Sequence, residues 1–160
     1  WICRPLVFMA RTCDGHWSIS VTSRPAWVRS APMLLPMAPV PGVEFIQGDF
    51  NDESVLGQLN ASLGGARVDL VMSDMAPNMM GIADVDHDRS MQLVELAEEF
   101  AAQALKPGGD LLMKVFQGRG FQPLVARLRK SYETVKLRKP KASRSRSAEV
   151  YVLARGYRLV

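Results

Sequence analysis

Hydrophobic residues follow two alternating patterns from residue 43 to the end of the chain. Short apolar runs bounded by turn residues are typical of strands, and longer stretches with apolar residues three or four positions apart are typical of helices. Glycine-rich stops, Gly64-Gly65 and Lys106-Pro-Gly-Gly, end two of the helical stretches. The patterns predict strands over 43–46, 68–72, 111–116, 133–138 and 148–154, and helices over 53–62, 89–105 and 121–128.

The order of these elements predicts an α/β fold. Strands that alternate with helices form right-handed crossovers, which build a mostly parallel sheet. The last two predicted strands are joined by a short basic segment without a helix, so we expect them to pair antiparallel at one edge. The length of 160 residues fits a single domain, residues 1–160, whose sheet ends in an antiparallel hairpin.

The first 42 residues do not continue this pattern. Leu6 to Ala10 could form a strand, but the segment after it holds one glycine, Gly15, where nucleotide-type α/β domains have a glycine-rich turn. Residues 31–41 contain four prolines, which exclude a regular helix or a central strand. We predict no further element in this part of the chain.

Composition excludes several classes of protein. The hydrophobic content of 48% is ordinary for a soluble globular domain. No run of eighteen apolar residues predicts a membrane span, and the first residues lack the pattern of a signal peptide. Cys3 and Cys13 form no CxxC motif, and His16 and His87 lack metal-ligand spacing, so we predict no metal site. We expect a reducing, cytoplasmic location and no membrane partner.

Charge is distributed unevenly along the chain. The net charge is +4, but residues 114–160 carry 13 of the 20 Lys and Arg and two acidic residues, a local charge of +11. The rest of the chain has a charge of −7. A basic region on an otherwise acidic domain indicates a polyanionic partner. The alternative is a solvated basic helix followed by a loose tail, and for the helical residues 120–131 taken alone this alternative is favoured. Ser and Pro in the segment 136–147 keep its basic residues exposed, which favours phosphate contact.

Three polar residues interrupt or end the apolar strands. Asp74 follows the strand at 68–72, at the kind of strand end where α/β sheets bind ligands. Lys114 lies within Leu-Leu-Met-Lys-Val-Phe, where burial is costly unless a carboxylate pairs with it. Glu149 opens the last strand of a strongly basic region. The three residues form a candidate carboxylate–ammonium–carboxylate triad. Alternatively, Asp74 begins a turn, Lys114 extends to solvent and Glu149 pairs with a local arginine.

Five motifs occur in order along the chain. They are Leu34-Leu-Pro-Met, Gln47-Gly-Asp-Phe, Ser73-Asp-Met-Ala-Pro-Asn, Lys114-Val-Phe-Gln-Gly and Ser143-Arg-Ser-Arg-Ser-Ala-Glu-Val-Tyr. In order and spacing they resemble the motifs of the FtsJ/RrmJ family of S-adenosylmethionine-dependent ribosomal RNA 2′-O-ribose methyltransferases, in particular the bacterial large-subunit enzymes. The resemblance implies a Rossmann-like class I methyltransferase fold with helices on both faces of the sheet. It divides the chain into an atypical start, 1–33, and a well-matched core, 34–155.

The resemblance also implies an activity and a set of functional residues. The activity is methylation of a uridine in large-subunit ribosomal RNA, performed by a monomer. Asp74, Lys114 and Glu149 match the last three members of the family's catalytic Lys-Asp-Lys-Glu tetrad. The implied residues for S-adenosyl-L-methionine are Asp49 on the adenine side, Asp74 near the methyl donor, and Gly15 and Trp17 in the glycine-rich loop. The residues expected to bind RNA are Lys136, Arg138, Lys139, Lys141, Arg144 and Arg146.

The chemistry of methyl transfer is consistent with these roles. The ribose 2′-hydroxyl must be held in line with the methyl group, so positioning supplies much of the rate. Lys114 would act as general base or orient the hydroxyl, while Asp74 and Glu149 hold the lysine. Neighbouring carboxylates favour a charged lysine, however, whereas a general base must be neutral.

The sequence departs from the family pattern near its start. No lysine precedes Lys106, so the first member of the tetrad has no match. Gly15 and Trp17 match the glycine-rich loop, but its other glycines are replaced, and Met33 stands where the family has an acidic residue for the ribose hydroxyls. We expect a truncated or frame-shifted start, and the alternative function is a catalytically impaired RNA-binding remnant. A small-molecule methyltransferase would leave the basic terminal region unexplained.

Overall fold

The computed structural model describes residues 6–11, 17–22, 44–47, 53–77, 80–139 and 147–159. In the first three of these ranges it describes the backbone and, of the side chains, that of Ile46. The described residues form seven strands and three helices. In chain order these are β1 (Leu6–Arg11), β2 (Trp17–Thr22), β3 (Glu44–Gln47), α1 (Glu53–Leu63), β4 (Val68–Asp74), α2 (Ala83–Ala104), β5 (Leu105–Phe116), α3 (Phe121–Ser131), β6 (Tyr132–Arg138) and β7 (Glu149–Tyr157).

The seven strands form one mixed sheet with the order β3-β2-β1-β4-β5-β7-β6. The α/β class and the C-terminal antiparallel hairpin are confirmed, because β6 pairs antiparallel with β7 and β7 pairs antiparallel with β5. The sheet is less parallel than predicted. Among the described strands only the pairs β1·β4 and β4·β5 are parallel, and the other four pairs are antiparallel.

The extra antiparallel pairing comes from β2, a strand that the sequence did not predict. Only residues 12–16 connect β1 to β2. A parallel pair needs a crossover of about a dozen residues or more, so a five-residue connection forces the two strands to run in opposite directions. The possible strand at Leu6 to Ala10 is confirmed as β1, which extends to Arg11.

Most predicted elements are present, with shifted ends. The largest difference is at α2, which begins at Ala83 rather than after a cap at Asp88. The buried carboxylate of Asp86 accepts hydrogen bonds from the backbone N–H groups of Met80 (2.8 Å) and Gly81 (2.9 Å). These bonds hold the residues before the helix in place. Acidic residues in the first turn of the helix also stabilise it, because they interact with the positive end of the helix dipole. The predicted loop up to residue 87 is therefore partly helical.

The predicted helix stop at Lys106-Pro-Gly-Gly becomes part of β5. The helix ends at Ala104, and β5 begins at Leu105 rather than at residue 111. A register shift separates the pairs Val68–Leu105 and Leu70–Asp110, so the Pro-Gly-Gly segment forms an irregularity within the strand. A Cβ atom at Gly109 would lie 3.2 Å from the backbone oxygen of Asp69, which explains why a residue without a side chain occupies this close approach to β4.

The three described helices form one layer against one face of the sheet. Arg127 of α3 pairs with Glu98 of α2 (2.9 Å), and α1 and α2 line a shared groove that includes Leu56 and Phe100. Burial along β5 alternates as expected for a strand covered on one face. Leu111, Met113 and Val115 are fully buried, whereas the intervening residues are partly exposed. The predicted placement of helices on both faces is thus seen for one face in the described part of the chain. None of the described helices is both long and apolar enough to cross a membrane.

This one-sided core leads to a stability prediction. We expect Leu111→Ala to lower the free energy of unfolding by about 3 kcal/mol, because Leu111 is fully buried and its loss leaves a cavity. Leu112→Ala, one residue away on the opposite face, is the matched control and should cost clearly less, because Leu112 is partly exposed. Urea denaturation of both variants measures the difference. Equal losses would show that both faces of the sheet are equally well packed.

Candidate active site

The site is built at the edge where the parallel strands end. Because β3 and β1 are each antiparallel to β2, and β1, β4 and β5 are parallel, the carboxyl ends of all four strands meet at one edge of the sheet. β4 ends there with Asp74, β5 ends there with Phe116, and the antiparallel β7 begins there with Glu149. Ligands bind at this edge in open α/β sheets.

Lys114 and Asp74 form an ion pair on neighbouring strands. Lys114 Nζ lies 3.0 Å from Asp74 Oδ1 and donates a hydrogen bond to the Asp74 backbone oxygen at 3.1 Å. The Lys114 side chain is 13% exposed and that of Asp74 is 41% exposed. The expectation that a carboxylate pairs with this largely buried lysine is therefore confirmed. Asp74 is also the last residue of β4 rather than the start of a separate turn, so the regular backbone of a strand positions it.

Tyr151 is a site residue that the sequence reasoning missed. Its hydroxyl donates a hydrogen bond to Asp74 Oδ1 at 2.9 Å, the same oxygen that pairs with Lys114. The β5·β7 register places Tyr151 directly opposite Lys114, and directly opposed residues share one face of a sheet. The signal was present in the sequence, because Tyr151 follows Glu149 by two positions and strand side chains repeat with period two.

Glu149 is at the site edge but does not complete the predicted triad. Among the described residues, no hydrogen bond or ion pair joins its carboxylate to Lys114. Its directly opposed residue in β5 is Phe116, and its backbone N–H donates to the Ser147 hydroxyl at 3.2 Å. The register of β7 on β5 explains the difference, because it places Tyr151 rather than Glu149 opposite the lysine. Glu149 remains near enough for its charge to act on the Tyr151 phenol.

Burial raises the pKa of the Tyr151 phenol above its ordinary value of 10.0, and its hydrogen bond to Asp74 and the nearby carboxylate charges raise that pKa further. Burial also raises the pKa of Tyr132, which packs against Tyr157 with ring centroids 5.3 Å apart. Both phenols are thus held in the neutral form. Tyr151 consequently stays a hydrogen-bond donor to Asp74 throughout the physiological pH range.

An alkaline titration tests this state of Tyr151. We expect Tyr151→Phe to leave the phenolate absorbance of the folded protein near pH 10 unchanged. Because the folded-state pKa is raised, folding favours the neutral phenol. The corresponding stabilisation is fully present below the unfolded pKa of about 10 and is lost as pH rises through the folded value. Loss of a phenolate component near pH 10 in the variant would contradict the buried hydrogen bond.

Part of the predicted RNA-binding set lies on the outer strand β6 or directly after it. Lys136, Arg138 and Lys139 are exposed, and Lys139 donates a hydrogen bond to the Ser147 backbone oxygen at 2.9 Å. Arg138 lies opposite Tyr151, which in turn lies opposite Lys114, so the basic strand and the ion pair share one face. The other three predicted residues, Lys141, Arg144 and Arg146, lie outside the described part of the chain.

Two of the four residues predicted to bind the cofactor lie outside the described ranges. Asp49, two residues after the end of β3, and Gly15, between β1 and β2, belong to this group. Trp17 is the first residue of β2 and pairs with Arg11 at the end of β1. Asp74 is described, and in the parallel pairing of β1 with β4 it lies beside Ala10. In the described ranges, no group of three or more His, Cys, Asp or Glu residues is arranged to hold a metal ion.

The fold and the site define a class of protein: an α/β domain with an ion-paired lysine at the strand edge that binds ligands and an exposed basic strand on the same face. The FtsJ-like methyltransferase family matches residues 12–157, nearly the whole chain. The chain therefore belongs to this family, and the resemblance seen in its motifs is confirmed.

Curated relatives and one solved structure agree with this assignment. Proteins named ribosomal RNA large subunit methyltransferase E match from Azoarcus sp. (58% identity, 75% of this chain), Methylobacillus flagellatus (59%, 89%) and Hydrogenovibrio crunogenus (58%, 77%). The matches span 58%, 70% and 60% of those relatives' lengths. A ribosomal RNA methyltransferase crystal structure from Plasmodium falciparum is similar at 26% identity with a TM-score of 0.65, covering 79% of this chain and 68% of that one.

Proposed function

We propose that this protein transfers the methyl group of S-adenosyl-L-methionine to a ribose 2′-hydroxyl of RNA, with a uridine of large-subunit ribosomal RNA as substrate. The observation that carries the proposal is the contact of Lys114 and Tyr151 with one oxygen of Asp74 at the carboxyl edge of the sheet. The names of the relatives support ribosomal RNA of the large subunit as the substrate class. We also propose that the chain acts as a single, monomeric domain in the cytoplasm and has no membrane partner.

Lys114 is proposed to hold the reacting hydroxyl. An ammonium group has three N–H donors, and two of those on Lys114 are used by the carboxylate and the backbone oxygen of Asp74. No described residue accepts a hydrogen bond from the third, which is proposed to bind the ribose 2′-oxygen and orient it for attack. The hydroxyl proton passes either to Lys114, if the lysine is neutral when RNA is bound, or to the Asp74 carboxylate. Glu149, at the same edge, is proposed to contact the RNA that is bound at Lys114.

The described residues fit the charge of the methyl donor. S-Adenosyl-L-methionine supplies a methyl group on a positively charged sulfur, and the partly exposed Asp74 carboxylate offers a negative charge at the edge where β1 also ends. Asp49, Gly15 and Trp17 are proposed to bind the remainder of the cofactor, because β1 and β3 end, and β2 begins, at this same edge.

The basic residues are proposed to bind the RNA backbone. Lys136 and Arg138 share a face with the ion pair, so an RNA strand that contacts them can reach Lys114. Lys139, Lys141, Arg144 and Arg146 extend this charge beyond the strand. Phosphate contacts release counterions, so we expect RNA affinity to fall steeply with salt concentration.

Cofactor binding and methyl transfer test the proposal. Calorimetry with S-adenosyl-L-methionine should give a binding isotherm, and labelled methyl groups should enter large ribosomal subunits isolated from cells that lack this methylation. Mapping by resistance to alkaline cleavage should place the methyl group on a ribose 2′-oxygen. No cofactor binding and no transfer, with RNA binding retained, would instead identify an RNA-binding protein with this fold.

A further inference from the structure

A second cavity lies beside the ion pair, between the start of α2 and the segment that follows β5. Its volume is about 380 Å³, within the size range of small-ligand sites. Residues from three parts of the chain line it: the first turns of α2, the loop after β5 and the residue before β7. The lining residues include Ala83, Asp84, His87, Ser90, Phe116 and Gln117.

The cavity lies close to Lys114 along strand β5. Phe116, in its wall, follows Lys114 by two residues on the same strand, which places it about 7 Å further along the same face. Ala148, also in the wall, precedes Glu149. An RNA strand whose target ribose is held at Lys114 therefore brings a neighbouring nucleotide to this cavity.

The walls of the cavity suit a neutral planar ring better than a phosphate. Phe116 offers an aromatic surface, and Gln117 offers an amide that can both donate and accept hydrogen bonds. The Ser90 residue is 4% exposed, and the described residues provide no hydrogen-bond partner for its hydroxyl. An unmet buried hydroxyl is costly, so a ligand that binds it gains stability. The carboxylates of Asp84 and Asp86 disfavour an anion here, and the Arg119 guanidinium in the same wall is already paired with Asp88.

The cavity is held open by contacts that do not involve a ligand. A ring nitrogen of His87 is hydrogen-bonded to the Arg119 backbone oxygen, and the Arg119 guanidinium pairs with Asp88 at 2.8 Å. Gly118 lies so close to the His87 ring that a Cβ atom would lie 2.5 Å from it. These contacts hold the loop after β5 against α2. A preformed site of this kind does not lose binding energy in ordering its walls.

We propose that this cavity binds the unstacked base of a nucleotide adjacent to the methylated ribose. Phe116 stacks on the base, and Gln117 and Ser90 hydrogen-bond to its edge. The inference rests on the proposed RNA methyltransferase activity and adds a site that positions the strand beside the reacting ribose.

The test combines cavity variants with RNAs that lack one base. The probe is a short single-stranded RNA with a central uridine, used intact or with an abasic ribose on the 5′ or the 3′ side of that uridine. Affinities are measured by fluorescence anisotropy. Ala83→Trp fills the cavity from an exposed position, and Phe116→Leu removes the stacking ring but keeps an apolar side chain. Ala61→Trp, at an exposed position of α1 outside the cavity, is the matched control.

We expect one of the two abasic RNAs to bind the unmodified protein about tenfold more weakly than intact RNA, the usual effect of losing one stacked base. Ala83→Trp and Phe116→Leu should weaken intact RNA to a similar degree but should leave that abasic RNA unaffected. Ala61→Trp should behave as the unmodified protein does. Equal binding of all three RNAs, or equal weakening of intact and abasic RNA by the cavity variants, would overturn the inference.

Methyl transfer to the same RNAs, or to large subunits, separates this inference from the proposed function. Transfer with no effect of either abasic position would leave the methyltransferase proposal intact and remove the base site. A clear abasic effect on binding with no transfer to any substrate would retain the base site and remove the methyltransferase proposal. Failure to bind any of the three RNAs would overturn the base site.

Discussion

Replacing Lys114 with methionine is expected to reduce methyl transfer by about 10³-fold or more, with little change in RNA affinity. Orientation of the reacting hydroxyl and assistance in removing its proton each contribute factors of this size, and methionine can supply neither. Methionine has a similar length and fits the apolar surroundings of Lys114, whose side chain is 13% exposed. Single-turnover methyl transfer under saturating RNA measures the loss.

Lys106→Met is the matched control for this experiment. Lys106 lies on the same strand and pairs with a β4 aspartate, Asp69, at the same 3.0 Å distance as the Lys114 pair, but at the opposite end of the strand. Its removal should leave activity unchanged, because this partly exposed ion pair lies away from the proposed site. Equal losses in the two variants would show that the lysine–aspartate pairs act on folding rather than on chemistry.

Lys114→Arg distinguishes the two roles proposed for the lysine. An arginine stays charged at every accessible pH, so it can orient a hydroxyl but cannot accept its proton. Measurable transfer by this variant would assign the proton to Asp74, and complete loss together with normal folding would favour Lys114 as the base. The described residues bring no second cation into contact with Lys114, a contact that would favour the neutral amine.

Replacing Asp74 with asparagine is expected to have the second large effect, a loss of about 10²- to 10³-fold in methyl transfer. Asn keeps the shape of the side chain but removes the negative charge that holds Lys114 (3.0 Å) and accepts the Tyr151 hydrogen bond (2.9 Å). Charge-assisted hydrogen bonds are about twice as strong as neutral ones, so both partners become less well positioned. The variant should also bind S-adenosyl-L-methionine more weakly, because Asp74 is proposed to face the sulfonium.

Asp69→Asn provides the control for the Asp74 variant. It removes the equivalent charge from the Asp69–Lys106 pair on the same two strands, away from the proposed site. We expect normal cofactor affinity and normal transfer from it. Full activity of Asp74→Asn under the same conditions would exclude the carboxylate from both proton transfer and cofactor binding, and Tyr151 and Lys114 would then need another explanation.

Local patterns in the sequence identified most of the elements but not all their ends. Helix α1, strand β4 and the C-terminal hairpin are close to their predicted positions, because each has a clear apolar period and a glycine or polar boundary. The start of α2 was missed by six residues. Its position depends on hydrogen bonds from Met80 and Gly81 to Asp86, which no local propensity for helix reveals.

The sequence by itself determined the α/β class, the motifs that place the chain in its family, and the placement of Asp74, Lys114 and Glu149 near strand ends. These features depend on residue order and on the two-residue period of strands, which can be read along the chain. Only the tertiary structure decided which side chains meet. The register of β5 on β7 sets Tyr151, rather than Glu149, opposite Lys114, and the short connection after β1 makes the sheet mixed. Register and strand order arise from contacts between distant segments, so the local pattern of a single segment does not contain them.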